Sequence, residues 1–219
     1  MDSRYPVSFE IAGSTALFAR PDGGSTPLSY PVPTWSAVKG MFEAVARCYG
    51  AYLHPVRVEI CKPVHTARYT TNYGGPLRKA GQIKQGNNLQ LIATVLTDVR
   101  YRVHGYAVGL GTTSDGINKA HALQEIFQRR LAGGQLFYTP CLGWKEFTPS
   151  YFGPLTPEGK ADATIDLYLP SLLHSVFDAP VGGKWGPRFQ RSVHVQNGIL
   201  EYHLDEASAE AKQTGDENA

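Results

Sequence analysis

The sequence is poor in charge, in cysteine and in long apolar runs. Only 18% of its 219 residues are charged, against roughly 25% in typical soluble domains. Aromatic residues make up 11%, with 12 Tyr, so the chain can bury a core, which excludes broad disorder as well as collagen-like and coiled-coil architectures. No apolar run reaches the length of about 18 residues that spans a bilayer. Met1-Asp2-Ser3-Arg4-Tyr5-Pro6 is not a basic segment followed by an apolar one, so a cytosolic chain without membrane contact is expected. The three cysteines, Cys48, Cys61 and Cys141, show no CxxC spacing and suggest neither a disulfide framework nor a zinc site. Each reads as a small buried hydrophobe. The seven histidines form no HExxH or HxH pattern, Gly109-Leu110-Gly111 lacks the GxxxxGK[ST] spacing, and no GxSxG elbow occurs. No metal or other cofactor is therefore expected.

What is present is an uneven charge. The formal net charge is +2, yet residues 201–219 hold six acids (Glu201, Asp205, Glu206, Glu210, Asp216, Glu217) and one base, Lys212. The remaining 200 residues carry 20 bases against 13 acids, or +7, and residues 39–145 carry 14 against 5, or +9. A basic body with an acidic tail points to a polyanionic partner.

Periodicity outlines the organisation. Val7, Phe9 and Ile11 alternate with polar residues as in a half-buried strand. Thr34 is placed to cap a helix whose apolar positions Val38, Met41, Phe42, Val45 and Tyr49 follow helical spacing, with Gly50 as its stop. Val56, Val58 and Ile60 predict a second strand. Residues 66–90, with four glycines and little apolar periodicity, read as a long, mobile, basic excursion. Val99, Tyr101 and Val103 predict a third strand that puts Arg100, Arg102 and His104 on its other face. Residues 118–132 predict a second helix with Arg129-Arg130 near its end and Gly133-Gly134 closing it. A strand near Leu136–Tyr138 is expected to follow. Further on, Ile165–Leu169 reads as a strand, and Val193–Gln196 and Ile199–His203 flank Asn197-Gly198, a hairpin signal.

Strand, helix, strand, strand, helix, strand is the split βαβ order. The expected class is α+β: a ferredoxin-like domain over residues 1–147 with a long excursion between its second and third strands. A small β-rich portion over 148–206 and a disordered acidic tail over 207–219 complete it. Two helices on one face leave the other sheet face free. Arg100, Arg102 and His104 on that face, Tyr69 and Tyr73 in the excursion, and Arg129-Arg130 together offer phosphate neutralisation and rings for base stacking, the chemistry that holds single-stranded RNA.

Four blocks go further: YPVSFEIAGSTALFARPD (5–22), SYPVPTWSAVKGMFEAV (29–45), ICKPV (60–64) and EIFQRRLAGGQLFYTPCLGWKEF (125–147). In this order and spacing they resemble the type I-C branch of the Cascade small RAMP subunits that cap the guide-RNA handle in CRISPR antiviral defence. The resemblance implies binding to the repeat-derived 5′ handle of crRNA and assembly with the backbone and large subunits of a Cascade interference complex, and it leaves contact with target DNA open. On this reading Arg20, Lys39, Lys62, Arg68, Arg78, Lys79, Lys84, Arg100, Arg102, Arg129 and Arg130 are the phosphate contacts. Tyr69 and Tyr73 are the stacking rings, and Thr34 and Ser36 are donors at a helix N-terminus.

Members of this branch also cut precursor RNA without metal, through what looks like a Tyr of the first helix and a Lys-His pair opening the second. A base takes the ribose 2′-OH proton, a cation steadies the phosphorane and an acid protonates the leaving oxygen. Ungapped matching puts Ala46 at the Tyr position and Ala122-Leu123 at the Lys-His positions, while Tyr49, Lys119 and His121 lie nearby. Loss of cleavage is the first expectation. The alternatives are a processing endoribonuclease that uses Lys119, His121 and Tyr49, and a purely architectural subunit.

Overall fold

The computed structural model describes residues 5–73, 80–85, 89–110, 118–177 and 185–203. The chain runs β1 (Pro6–Ala16), α1 (Trp35–Val45), β2 (Ala51–Ile60), β3 (His65–Tyr73), α2 (Ala80–Lys84), β4 (Leu89–Gly109), α3 (Lys119–Ala132), β5 (Tyr151–Gly153), β6 (Leu167–Ser175), β7 (Arg188–Gln196) and β8 (Ile199–Glu201). The strands form one sheet in the order β5-β1-β4-β2-β8-β7-β6, with β3 on β4, and every strand pairing is antiparallel. It curls: α1 packs on β2 and also meets β6 near the far end of the strand order, where the Trp35 and His174 rings stack 4.4 Å apart.

The core lies between the sheet and the two longer helices. Phe9 of β1 meets Phe42 of α1 edge-on at 4.9 Å, and Phe42 meets Phe127 of α3 at 5.6 Å. All three rings are essentially inaccessible, each contributing about 2–3 kcal/mol through burial. Gly105 of β4 sits beneath this cluster, where a Cβ would lie 3.1 Å from the Phe42 ring and closer still to the His54 carbonyl. Directly across on β2, Pro55 precedes a bulge, where its missing N–H costs no ladder hydrogen bond.

Several local expectations hold. Thr34 caps α1 by accepting from the Ala37 N–H at 3.2 Å, and α3 occupies 119–132 with Gly133 as its C-cap. Asn197 and Gly198, at φ 51° and 73°, turn β7 into β8, as the Asn-Gly pair requires.

Others are corrected. The first helix stops at Val45, not Tyr49: Ala46 is extended at φ −148°, and Cys48 to Ala51 close a tight turn through Gly50 at φ 81°. The second strand begins five residues before Val56, at Ala51. The excursion is largely regular. Residues 65–73 pair with 89–97 as a hairpin, whose backbone donors and acceptors are satisfied in the ladder rather than by water. Leu136–Tyr138 is not a strand: the Phe137 and Tyr138 N–H groups both go to the Ala44 carbonyl at the end of α1, and β5 takes the edge beside β1 instead. The strand expected over 165–169 runs later and longer, as β6. The three cysteines are half-buried and unbridged, and burial pushes the Cys61 thiol up to about 11. The acidic tail over 207–219 lies outside the described residues, among which no helix is long and apolar enough to cross a membrane.

Candidate nucleic-acid interface

The start of α3 gathers one set of polar groups. Asn118 caps the helix by accepting from the His121 N–H at 3.1 Å, and its amide donates to the Tyr5 hydroxyl at 2.6 Å. The Tyr5 ring lies 5.6 Å from the His121 imidazole, and His121 Nε2 is 3.4 Å from a Glu125 carboxylate oxygen one turn on. The α1–β2 turn closes on the same corner. Gly50 accepts from the Leu110 N–H at 2.7 Å, and a Cβ on Gly50 would lie 3.8 Å from Lys119 Cγ. Tyr49, next to Gly50, is 99% exposed, so it is neither helical nor core-facing. Lys119, His121 and Tyr49 therefore share a neighbourhood, although two residues along a helix turn a side chain by roughly 200°. Ala46 and Leu123 are buried apolar positions and contribute no reactive group. Tyr5 was not singled out by sequence; nothing in the pattern around residue 5 links it to a helix more than a hundred residues on. The Tyr49 phenol, the His121 imidazole and the Lys119 ammonium are the kinds of proton carrier and cation that RNA cleavage needs. Among the described residues, no cluster of His, Cys, Asp and Glu is large enough to hold a metal.

The sheet face away from α1 and α3 is only partly open, which corrects the expectation of a free face. Glu10 of β1, completely inaccessible, accepts from the Thr156 N–H at 3.0 Å and the Thr156 hydroxyl at 2.9 Å. The segment after β5 thus lies across this part of the sheet. Arg102 donates from Nε to Glu10 at 3.3 Å and from Nη2 to the Thr156 carbonyl, and Arg100 pairs with Glu10 at 3.3 Å. Burial pushes the Glu10 carboxyl up, but the Thr156 and Arg102 hydrogen bonds and the Arg100 charge outweigh it and hold it below its ordinary value. Arg100 and Arg102 are therefore committed to a buried carboxylate rather than presented to solvent, because an ionised Glu10 at zero exposure requires counter-charge. Beside them, burial outweighs the Glu59 charge at 2.9 Å and lowers the His104 pKa.

The other predicted contacts fall into three groups. Arg20 is held by Asp22 at 2.6 Å and lies 5.7 Å from the Tyr30 ring; Lys62 meets Asp98 at 2.5 Å; Arg130 donates to the Val45 carbonyl at 3.2 Å, closing the end of α1. Tyr69 packs edge-on against Phe147 at 5.3 Å, as part of the core margin rather than as a free ring. Thr34 is buried and its hydroxyl already serves as the cap, 3.2 Å from the exposed Ser36 hydroxyl. Arg68, Lys84 and Arg129 are exposed, the first two on the hairpin arm. Lys39 lies 5.4 Å from the Trp35 ring and 6.0 Å from that of Tyr52. The Tyr73 side chain, Arg78 and Lys79 lie outside the described residues.

A curled antiparallel sheet backed by few helices, with a basic hairpin arm, defines a mixed α and β protein. The family model described as CRISPR-associated protein (Cas_Cas5) matches residues 7–213, and the chain belongs to that family. It is 31% identical over 175 residues to the CRISPR pre-crRNA endoribonuclease Cas5d of Thermus thermophilus, covering 76% of this chain and 71% of the relative. Against the protein of the same name from Mannheimia succiniciproducens it is 27% identical over 217 residues, covering 89% and 93%. Two solved structures share the fold. One is of a CRISPR-associated protein (18% identity, TM-score 0.66, 94% of each chain covered). The other is of a CRISPR RNA-guided surveillance complex (15% identity, TM-score 0.51, 91% and 92% covered).

Proposed function

We propose that the chain serves CRISPR defence by binding the repeat-derived 5′ handle of crRNA and assembling with the backbone and large subunits of a type I-C-like Cascade complex. The observation that carries this reading is the extent of the family match, which runs from β1 past β8. The order β1-β4-β2, with α1 and α3 as the two crossing helices, supports a ferredoxin-like core for residues 1–147, to which β5, just beyond that boundary, adds the fourth strand beside β1. The described residues of 148–206 suit a β-rich addition whose strands β5 and β8 extend the same sheet. The exposed Arg68 and Lys84 suit the arm to phosphate. Contact with target DNA is a further property to be tested on the assembled complex.

A second reading, that the chain also cuts precursor RNA without metal, is favoured by the corner at the start of α3. Ala46 and Ala122-Leu123 weigh against cleavage, whereas the Gly50 turn beside Lys119 and the Tyr5–His121 contact support a site drawn from Tyr49, Lys119 and His121. One assay tests both: the purified chain is incubated with CRISPR repeat RNA in EDTA, and binding and products are followed together. Salt-sensitive binding is expected, and no binding overturns the first reading. A single cleaved phosphodiester is expected under the second reading, and intact RNA at saturation overturns it.

A further inference from the structure

The register across β1, β4 and β2 lays out rows on the sheet face away from the helices. One row is Pro6–Tyr106–His54, the next Ser8–His104–Arg57, and the next Glu10–Arg102–Glu59. The face is fixed by Gly105, whose absent side chain would point at Phe42 on the opposite side, so its neighbour Tyr106 points away from the helices. Thr156 seals the third row through Glu10 and Arg102. The first row carries aromatic rings and no acid. His54 and Tyr106 have ring centroids 5.1 Å apart, and Tyr52, two residues before His54 on the same face, lies 6.1 Å from it. The first turn of α1 reaches this row round the β2 edge, where Trp35 Nε1 donates to the Pro55 carbonyl at 3.1 Å: Trp35 adds an edge contact to His54 at 5.7 Å, and Lys39 brings its ammonium to the Trp35 and Tyr52 rings. Tyr52, His54, Tyr106 and Lys39 are all half-buried, each leaving part of its side chain in solvent.

We propose that Tyr52, His54 and Tyr106 form a stacking platform for a base of single-stranded RNA, with Lys39 beside it for the adjoining phosphate. This rests on the RNA-binding reading and moves the contact from the closed Arg100–Arg102 end of the sheet to its aromatic end. Ring faces with a neighbouring cation suit a planar, anionic polymer.

The test uses the full chain and CRISPR repeat RNA, unlabelled and carrying 4-thiouridine. Tyr106→Leu, which keeps the apolar bulk but removes the ring, is expected to weaken binding about tenfold, the size of one lost stacking contact. Its slope against salt should stay that of the wild type, and Tyr106→Phe should bind like the wild type. Illumination of the wild-type complex should crosslink RNA to the peptides holding Tyr52, His54 or Tyr106, a result independent of how any variant folds. Binding with crosslinks confined to the β3–β4 arm overturns the platform while sparing the RNA-binding reading; no binding at all overturns both. DNA of the same sequence, if it competes equally, overturns the assignment to RNA.

Discussion

The Tyr5 ring packs 5.6 Å from the His121 imidazole, and the Tyr5 hydroxyl accepts from the same Asn118 that caps the helix carrying His121. The contact joins the first residues of β1 to the first turn of α3 and orients a solvent-exposed imidazole. If the corner cleaves RNA, His121→Ala should slow cleavage of repeat RNA in EDTA by about a hundredfold or more. Tyr5→Ala should slow it less, by releasing the imidazole, and Tyr5→Phe, which keeps the ring, should restore the rate. Gel-resolved single-turnover kinetics would check the order. Equal rates for Tyr5→Ala and wild type would remove Tyr5 from the site.

Glu10 makes a prediction about acid. Its folded pKa lies below the ordinary 4.5 because Thr156, Arg102 and Arg100 together outweigh the cost of burial. A depressed carboxyl contributes stability at pH above its unfolded pKa and loses it as the pH falls through the folded one. The stability of the wild type against urea should therefore fall progressively below about pH 4.5. Glu10→Gln should flatten that part of the acid limb. At pH 7 the same change should cost about 3 kcal/mol, because it leaves Arg100 and Arg102 without their counter-charge against the Thr156 segment.

Gly143 tests the loop that follows α3. Leu17 donates to the Leu142 carbonyl at 2.9 Å, drawing the two backbones so close that a Cβ on Gly143 would overlap the Leu17 carbonyl. Gly143 also adopts φ 95°, in the region L side chains avoid. Gly143→Ala should destabilise the chain by about 2–3 kcal/mol, read as a lower melting temperature with no change in the salt dependence of RNA binding.

The elements legible in the sequence are those fixed by neighbouring residues. Thr34 and Asn118 sit at helix starts, and Asn197-Gly198 makes a turn wherever it falls between alternating strands. The failures are nonlocal. Helical spacing runs on to Tyr49, but the chain leaves the helix at Ala46 to make the Cys48–Ala51 turn. Leu136–Tyr138 has strand-forming residues, yet its N–H groups are spent on α1 and its side chains face solvent. Alternation puts Glu10, Arg100 and Arg102 on the polar side of their strands, correctly. It cannot report that Thr156, 146 residues away from Glu10, covers them. The same concealment hid the aromatic row, because His54 and Tyr106 become neighbours only through the register of β2 on β4.

The hairpin arm supplies the last prediction. Arg68 on β3 and Lys84 on α2 are exposed, whereas Arg20, Lys62 and Arg102 already face carboxylates. A cation that reaches a phosphate releases a counterion, so its removal lowers the dependence of log affinity on log salt, while a cation already paired within the protein changes the slope little. Arg68→Gln and Lys84→Gln should each reduce the slope for repeat RNA by about one, and the double variant by about two if they bind independently. Lys62→Gln should leave the slope near that of the wild type. Fluorescence anisotropy titrations across a salt series separate these outcomes: unchanged slopes in the arm variants would mean that the arm meets a protein subunit instead of phosphate, and a large change in Lys62→Gln would mean that RNA displaces Asp98.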